Sequence, residues 1–412
     1  MKISGLNKNI LYLALVQGSG YILPLLTFPY LVRILGPELF GVLGFCQASI
    51  QYLVLITDYG FNLSATQQVA KFKNDKIELA RIFWSVIWSK LFLSIIAFFI
   101  LFIVCFFVEK YNAYWFVLIA FTPLIFGNII YPIWLFQGME KMKWISICSI
   151  LSRFLLIPFT FIFVQSPGDI WLAALIQGSV NLIAGLLSVY LIIKYNWIEG
   201  FFFEIQYIKK CLFDGWHVFI STSAISLYTI STVVILGFIS NPASVGYFNA
   251  ANTIRNAVQS VITPINQAIY PRINALYSND YDNVLSLIRK TLLIVGSVSL
   301  FFSIILFVFT DLIVVYGLGE QYKNSISVLR WMSFLPFIVG LSSVFGVQIL
   351  LTHGYKKQFS AILLISGAIN VIIIFPLSMV YSADGAAISI LITELFVTIS
   401  MFLFLKSRKI LF

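Results

Sequence analysis

About twelve apolar runs, each long enough to cross a bilayer at about 20 residues per helical span, fill this chain, and its basic residues gather in every second connection between them. Lys2 and Lys8 precede the first run. Lys71, Lys73, Lys76 and Arg81 follow the second, Lys141 and Lys143 the fourth, and Lys194, Lys209 and Lys210 the sixth. Arg272, Arg289 and Lys290 follow the eighth, Lys356 and Lys357 the tenth, and Lys406, Arg408 and Lys409 the last. That places 19 of the 26 Lys and Arg residues on one side, against Arg33, Lys110 and Lys323 on the other. Basic loops are retained in the cytoplasm, so the crowded side is expected inside, with both termini there and an even number of crossings.

The same pattern limits what else the chain can be. Hydrophobic residues make up 60% and charged residues 10%, and the mean hydropathy is +0.97. Twelve spans use roughly 250 of the 412 residues, which leaves short loops and no soluble domain of ordinary size. The net charge of +10 reads as the topology signal rather than as a nucleic-acid surface. The first apolar stretch, Asn9 to Val32, is too long for a signal-peptide core and is expected to remain as a helix. Long continuous runs, not ten-residue alternating ones, argue against a β-barrel. Cys46, Cys105, Cys148 and Cys211 have no metal spacing and make no disulfide framework. No phosphate-cradling glycine loop and no Cys/His cluster is present, and His217 and His353 both sit at a membrane boundary. No catalytic residue, metal or cofactor is expected, and the chain does not read as an enzyme.

The expected class is therefore an all-α polytopic membrane protein. The helices are placed near 9–33, 40–60, 82–108, 113–137, 145–164, 170–193, 216–239, 245–271, 291–316, 326–352, 358–380 and 385–405. An internal repeat divides them. Pro37-Glu38-Leu39-Phe40-Gly41 joins helices 1 and 2, and Pro242-Ala243-Ser244-Val245-Gly246 joins helices 7 and 8, 205 residues later. Phe136-Gln137-Gly138-Met139-Glu140-Lys141 is echoed by Thr352-His353-Gly354-Tyr355-Lys356-Lys357 after helices 4 and 10. Two such matches in corresponding connections favour two six-helix lobes, 1–193 and 216–412, in a parallel repeat. The cytoplasmic linker, 194–215, carries Trp197, Phe201 to Phe203 and Lys209-Lys210, an amphipathic composition. Prolines within the spans, among them Pro24, Pro29, Pro123, Pro132, Pro158, Pro264 and Pro336, are candidate bending points.

Charges inside the apolar runs carry the functional signal. Lys90 lies midway along helix 3, Arg153 in helix 5, Arg255 in helix 8, Arg330 one turn into helix 10 and Glu394 in helix 12. A charge at the bilayer centre costs about 2.5–3.5 kcal/mol on insertion scales, so such residues face a bundle interior or a watery cavity. Four cations against one acid suit an anionic ligand such as a pyrophosphate, which an arginine grips with its planar fork. Arg255 is the foremost candidate, in Asn252-Thr253-Ile254-Arg255-Asn256 with Gln259 one turn on. Gln47 and Gln51 of helix 2 stand at the corresponding repeat positions and could hydrogen-bond sugar hydroxyls; helix–helix bonding is the commoner use of such residues. Structural alternatives are a pairing of Lys90 or Arg255 with Glu394 and an outward-snorkelling Arg330. Asp58, closing helix 2, is a candidate gate or cation site, or else the partner of a nearby lysine. Glu394 is a candidate ion-coupling acid.

Leu25-Leu26-Thr27-Phe28-Pro29-Tyr30-Leu31-Val32-Arg33-Ile34-Leu35-Gly36-Pro37-Glu38 resembles the first helix of Wzx-type O-antigen flippases. These form the polysaccharide transporter family of the MOP superfamily, beside the MATE exporters and lipid II flippases. Asp58-Tyr59-Gly60-Phe61-Asn62-Leu63-Ser64-Ala65-Thr66 and Pro132-Ile133-Trp134-Leu135-Phe136-Gln137-Gly138-Met139-Glu140-Lys141-Met142 resemble the same family after helices 2 and 4. The C-terminal half is matched by helix count and by Gly346-Val347-Gln348. The resemblance implies two MATE-like six-helix lobes around a central cavity, in the bacterial inner membrane. It implies transfer of an undecaprenyl-pyrophosphate-linked oligosaccharide to the outer leaflet by alternating access, with ion coupling by analogy. Implied partners are that lipid-linked sugar, membrane lipid, a polysaccharide polymerase and a chain-length regulator. The rival readings are a MATE-like exporter of amphipathic cations, which predicts buried acids in excess, and a membrane polymerase, which predicts a substantial outer loop.

Overall fold

Two breaks in the backbone divide the longest helices of this protein into separate crossings. The computed structural model describes residues 2–276, 281–408 and 410; side chains are described except those of 2–17, 19, 21, 22, 217, 221, 224, 225, 227–229, 263–268, 270–272, 274–276 and 281–283. The His217, Pro264 and Arg272 side chains lie outside the described residues. Lys356–Ser407 is 52 residues long, which at 1.5 Å per residue is about 78 Å, more than twice a hydrocarbon core of about 30 Å. The run breaks at Ser382 (φ 48°, ψ −120°). Lys2–Asp58, 57 residues, breaks at Gly36 (φ 68°, ψ 173°), where a left-handed glycine followed by Pro37 cannot continue the helix. Counting each of these as two gives about twelve crossings, and no strand occurs among the described residues.

Other elements are shorter than hydropathy alone suggests. The run expected at 113–137 is three pieces, Trp115–Ala120, Pro123–Ile130 and Ile133–Gly138. Proline lacks an N–H and disfavours helix in the residue before it, so the breaks fall at Thr122-Pro123 and Tyr131-Pro132. Pro123 and Pro336 occupy first turns, where the missing donor costs nothing, whereas Pro158 and Pro376 lie inside helices. The helix expected at 216–239 starts earlier and is interrupted, as Ile205–Thr229 and Ser231–Ile239. The run at 326–352 passes through Ser325–Met332 and Leu335–Ser343 into a π-helical turn at Val344–Leu350.

The chain forms two compact units. One comprises Met1–Ile34 with Phe45–Ser223, and so includes residues 194–215. Its core is dense in large side chains, with Trp134, Phe61, Phe121 and Phe136 fully buried. The other comprises Leu35–Gly44 with Ala224–Phe412. One of its cores gathers Ile273, Val284, Ile288, Phe345, Ile349, Val397 and Met401.

Within this second unit the two copies of the repeated pentapeptide pack on each other reciprocally. A Cβ at Gly41 would lie 1.8 Å from the Pro242 carbonyl oxygen, and one at Gly246 would lie 1.9 Å from that of Pro37. A Cβ at Gly44 would likewise meet the Asn249 amide, again 205 residues on. Only glycine permits backbones to approach this closely. Both motifs therefore end in glycine for one physical reason.

Candidate functional site

In the first unit, the buried cation Lys90 is held on all three of its donors. Lys90 stands midway along Lys76–Phe107 with its side chain 1% exposed. Its Nζ donates to Asp58 Oδ1 (3.3 Å), to the Asn128 carbonyl (3.0 Å) and to Asn128 Oδ1 (3.1 Å). Local sequence explains each acceptor. The Asn128 carbonyl would pair with the backbone N–H four residues on, but that residue is Pro132 and has none, so the lysine takes its place. Asp58 ends its helix because Tyr59 (φ 46°) and Gly60 (φ 77°) turn the chain back. That reversal brings Asn62 round to donate to the same Asp58 oxygen at 2.9 Å. A buried ion pair completed by hydrogen bonds is tolerated, while removing one partner typically costs about 3–5 kcal/mol. Lys90 thus pairs with Asp58 and not with Glu394. Sequence reading missed Asn62 and Asn128; the proline at 132 was the signal that could have found the latter.

Arg153, half-buried on Met142–Phe163, donates from Nη1 to Ser149 Oγ at 2.7 Å, one turn back. Its guanidinium approaches Gly20, where a Cβ would lie 3.6 Å from Nη2. Gln47 and Gln51 of the same unit are exposed.

In the second unit, Pro242–Leu276 carries a polar stripe through an otherwise apolar environment. Asn249, Asn252 and Asn256 recur at three- and four-residue spacing, and so share one helix face with Arg255 beside them. Arg255 donates through Nη2 to Asn256 Oδ1. Glu394, from Lys356–Ser407, is its electrostatic counterpart. Arg255, Asn252, Asn256 and Glu394 are all intermediate in exposure. Asn249 Nδ2 and Asn252 Oδ1 are buried and have no hydrogen-bond partner among the described residues. This arrangement offers one planar cation, several amides and one acid, suited to an anion with hydroxyls attached. A second polar network lies buried in the unit, where Asn370 Nδ2 donates to Thr393 Oγ1 (3.0 Å) and Thr232 Oγ1 to Asn370 Oδ1 (3.4 Å).

Arg330 is not part of either set. Its side chain is 49% exposed and paired with Asp311, itself 55% exposed. His353 lies outside the spans, with Nδ1 2.8 Å from the Ile349 carbonyl, and burial pushes its ring below the ordinary histidine value. An open recess of about 310 Å³ is lined by Phe203, Glu204, Ile205 and Gln206 and contains none of these candidates. No group of three or more metal-ligating side chains occurs among the described residues.

Comparison with known proteins adds to this geometry. The family described as "Polysaccharide biosynthesis protein" matches residues 6–277. A protein of Escherichia coli (strain K12) named "Putative O-antigen transporter" is 49% identical over 407 residues, 98% of this chain and 98% of its own length. One of Shigella dysenteriae with the same name is 32% identical over 399 residues, 96% of this chain and 99% of its own. Among solved structures, the lipid II flippase MurJ in an inward closed conformation is similar with a TM-score of 0.76 at 15% identity, over 97% of this chain and 87% of that one. An inward-facing MATE family multidrug transporter of the MOP superfamily is similar with a TM-score of 0.72 at 14% identity, over 97% and 94%. The fold is thus MurJ- and MATE-like.

Proposed function

The chain belongs to the polysaccharide biosynthesis protein family, and from that premise we propose that it is a flippase of the inner membrane. Its substrate is an undecaprenyl-pyrophosphate-linked oligosaccharide, the repeat unit of O-antigen or a related surface polysaccharide, carried from the cytoplasmic to the outer leaflet by alternating access. Two relatives named as O-antigen transporters, aligned over nearly the whole of both chains, support the substrate class. The observation that carries the site is the Asn252, Arg255, Asn256 stripe, half-buried along a helix of a membrane protein. Such a stripe is tolerated in a bilayer where it faces a bundle interior or a polar cavity, and its two buried amide atoms without a partner among the described residues favour the cavity.

The pyrophosphate docks on Arg255. The sugar hydroxyls hydrogen-bond Asn252 and Asn256 on the same helix. The polyprenyl chain stays in lipid throughout, because its burial in a polar site would forfeit hydrophobic free energy. Docking must favour one lobe arrangement over the other for the cycle to advance. Glu394, the acid facing Arg255, is the group assigned to ion coupling, since protonation or cation binding there alters the charge that the pyrophosphate meets. The distribution of basic residues supports cytoplasmic termini. A polymerase and a chain-length regulator would receive the product at the outer face.

Arg255→Ala tests the site. A charged hydrogen bond contributes about 1.5–3 kcal/mol, so transport should fall about tenfold to a hundredfold while the protein stays in the membrane at its normal amount. Normal transport at normal protein level would remove Arg255 from the mechanism.

A further inference from the structure

The stretch after Lys194 forms a shelf clamped along one face of Lys76–Phe107, and the transport mechanism makes no use of it. Trp197 is 9% exposed, with the Lys141 ammonium 3.7 Å from its ring centroid. Beyond it, Lys76 Nζ donates to Glu199 at 2.7 Å, Trp84 Nε1 to the Gly200 carbonyl at 3.0 Å and Trp88 Nε1 to the Phe202 carbonyl at 3.3 Å. Arg81 reaches Glu204 at 3.4 Å, and the Tyr207 hydroxyl donates to Glu78 at 3.2 Å. The anchors at 76, 81, 84 and 88 recur at near-helical spacing, so the shelf is fixed along its length.

Its outward side is apolar and basic together. Phe201 and Phe203 are 63% and 59% exposed, and Phe213 is 76% exposed. On Ile205–Thr229, residues Ile205, Lys209, Phe213, Trp216 and Ile220 follow one another at four, four, three and four residues and so share one exposed face. Lys209 lies within that face and Lys210 at its edge, both exposed, and neither forms an ion pair among the described residues. Asp214, the nearest acid along the helix, accepts from Gln68 at 2.9 Å. An amphipathic face of aromatics with embedded lysines lies in the headgroup–acyl boundary. There the rings displace water and the lysine stems carry their ammonium groups to lipid phosphate.

We propose that this shelf is a binding surface for anionic phospholipid, with Lys209 and Lys210 on the headgroup phosphates and Phe201, Phe203, Phe213 and Trp216 in the glycerol–acyl layer. It rests on the chain being a membrane protein and on neither the substrate nor the direction of transport. A basic residue at an anionic surface strengthens association about fivefold, so the pair accounts for roughly thirtyfold.

Native mass spectrometry of the purified full chain, titrated with phosphatidylglycerol or with phosphatidylcholine, tests it. The parent protein should bind phosphatidylglycerol in preference, and K209Q/K210Q should lose about tenfold or more of that preference at low salt. K356Q/K357Q, a second exposed basic pair, should leave it within about twofold. Equal binding of the two lipids by the parent overturns the proposal, as does an unchanged preference in K209Q/K210Q. An equal loss in both double variants also overturns it, since the effect would then be net charge and not this shelf. Lipid binding is read without transport, so a negative result here leaves the flippase reading standing, and failure of transport leaves the shelf standing.

Discussion

Lys90 and Arg255 look alike in the sequence and differ in the folded protein. Each is a lone cation well inside an apolar run. Lys90 is closed off, 1% exposed, with its three N–H donors on Asp58 and Asn128. Arg255 remains half-buried among amides, bonded to Asn256 and facing Glu394. The difference lies in their neighbours. Near Lys90 a proline leaves a carbonyl open and a chain reversal delivers an acid. Near Arg255 the helix backbone is intact, and the accompanying side chains are amides spaced along one face. In this protein the broken backbone around Lys90 accompanies a structural cation, and the amide-lined helix face around Arg255 a candidate ligand cation.

The repeat sharpens this contrast. At the 205-residue offset, Gln47 and Gln51 correspond to Asn252 and Asn256, while Arg255 corresponds to Ile50, which is fully buried. Both copies keep the polar positions, and only the second acquires the charge.

The largest effect on stability is expected from breaking the Lys90 pair alone. Lys90→Met strands the Asp58 carboxylate and the Asn128 carbonyl, and thermal unfolding in detergent should show a loss of about 3–5 kcal/mol. Adding Asp58→Leu should recover much of it, which a double-mutant cycle measures. A Lys90→Met protein as stable as its parent but unable to transport would erase the distinction between the two cations.

Gly41→Val and Gly246→Val come next. Each forces a side chain against the opposing proline carbonyl and should cost about 1–3 kcal/mol or more in the same assay. Because they act at one contact, the double variant should lose less than the sum. Arg255→Ala should change stability by less than about 1 kcal/mol while depressing transport, the reverse of the Lys90 pattern. Arg330→Gln removes only an exposed pair with Asp311 and should cost less than about 1 kcal/mol, with transport unchanged.

Much of the architecture was legible because the bilayer imposes a length on every apolar run, and the repeated Pro-x-x-apolar-Gly motif marked a real close contact. The helix break at Tyr131-Pro132 was less legible, since hydropathy is continuous across it, whereas the break at Ser382 falls in the expected gap between the helices at 358–380 and 385–405. The site was legible by residue type and not by partner. Asp58 and Lys90 lie 32 residues apart, and no local periodicity links them. For Arg330 the sequence offered both a ligand cation and an outward-snorkelling side chain, and its exposed pair with Asp311 fits the second.

The most direct test of the account is made in a strain lacking this gene, with and without a plasmid copy. Surface polysaccharide is quantified, and the leaflet of the undecaprenyl-pyrophosphate oligosaccharide is read from its access to a glycosidase added at the outer face. The account predicts that surface polymer is lost while protected, inner-leaflet lipid-linked units accumulate, and that the plasmid reverses both. Lipid-linked units that still reach the outer face and remain unpolymerised would contradict it, and would move a polymerase role to the front.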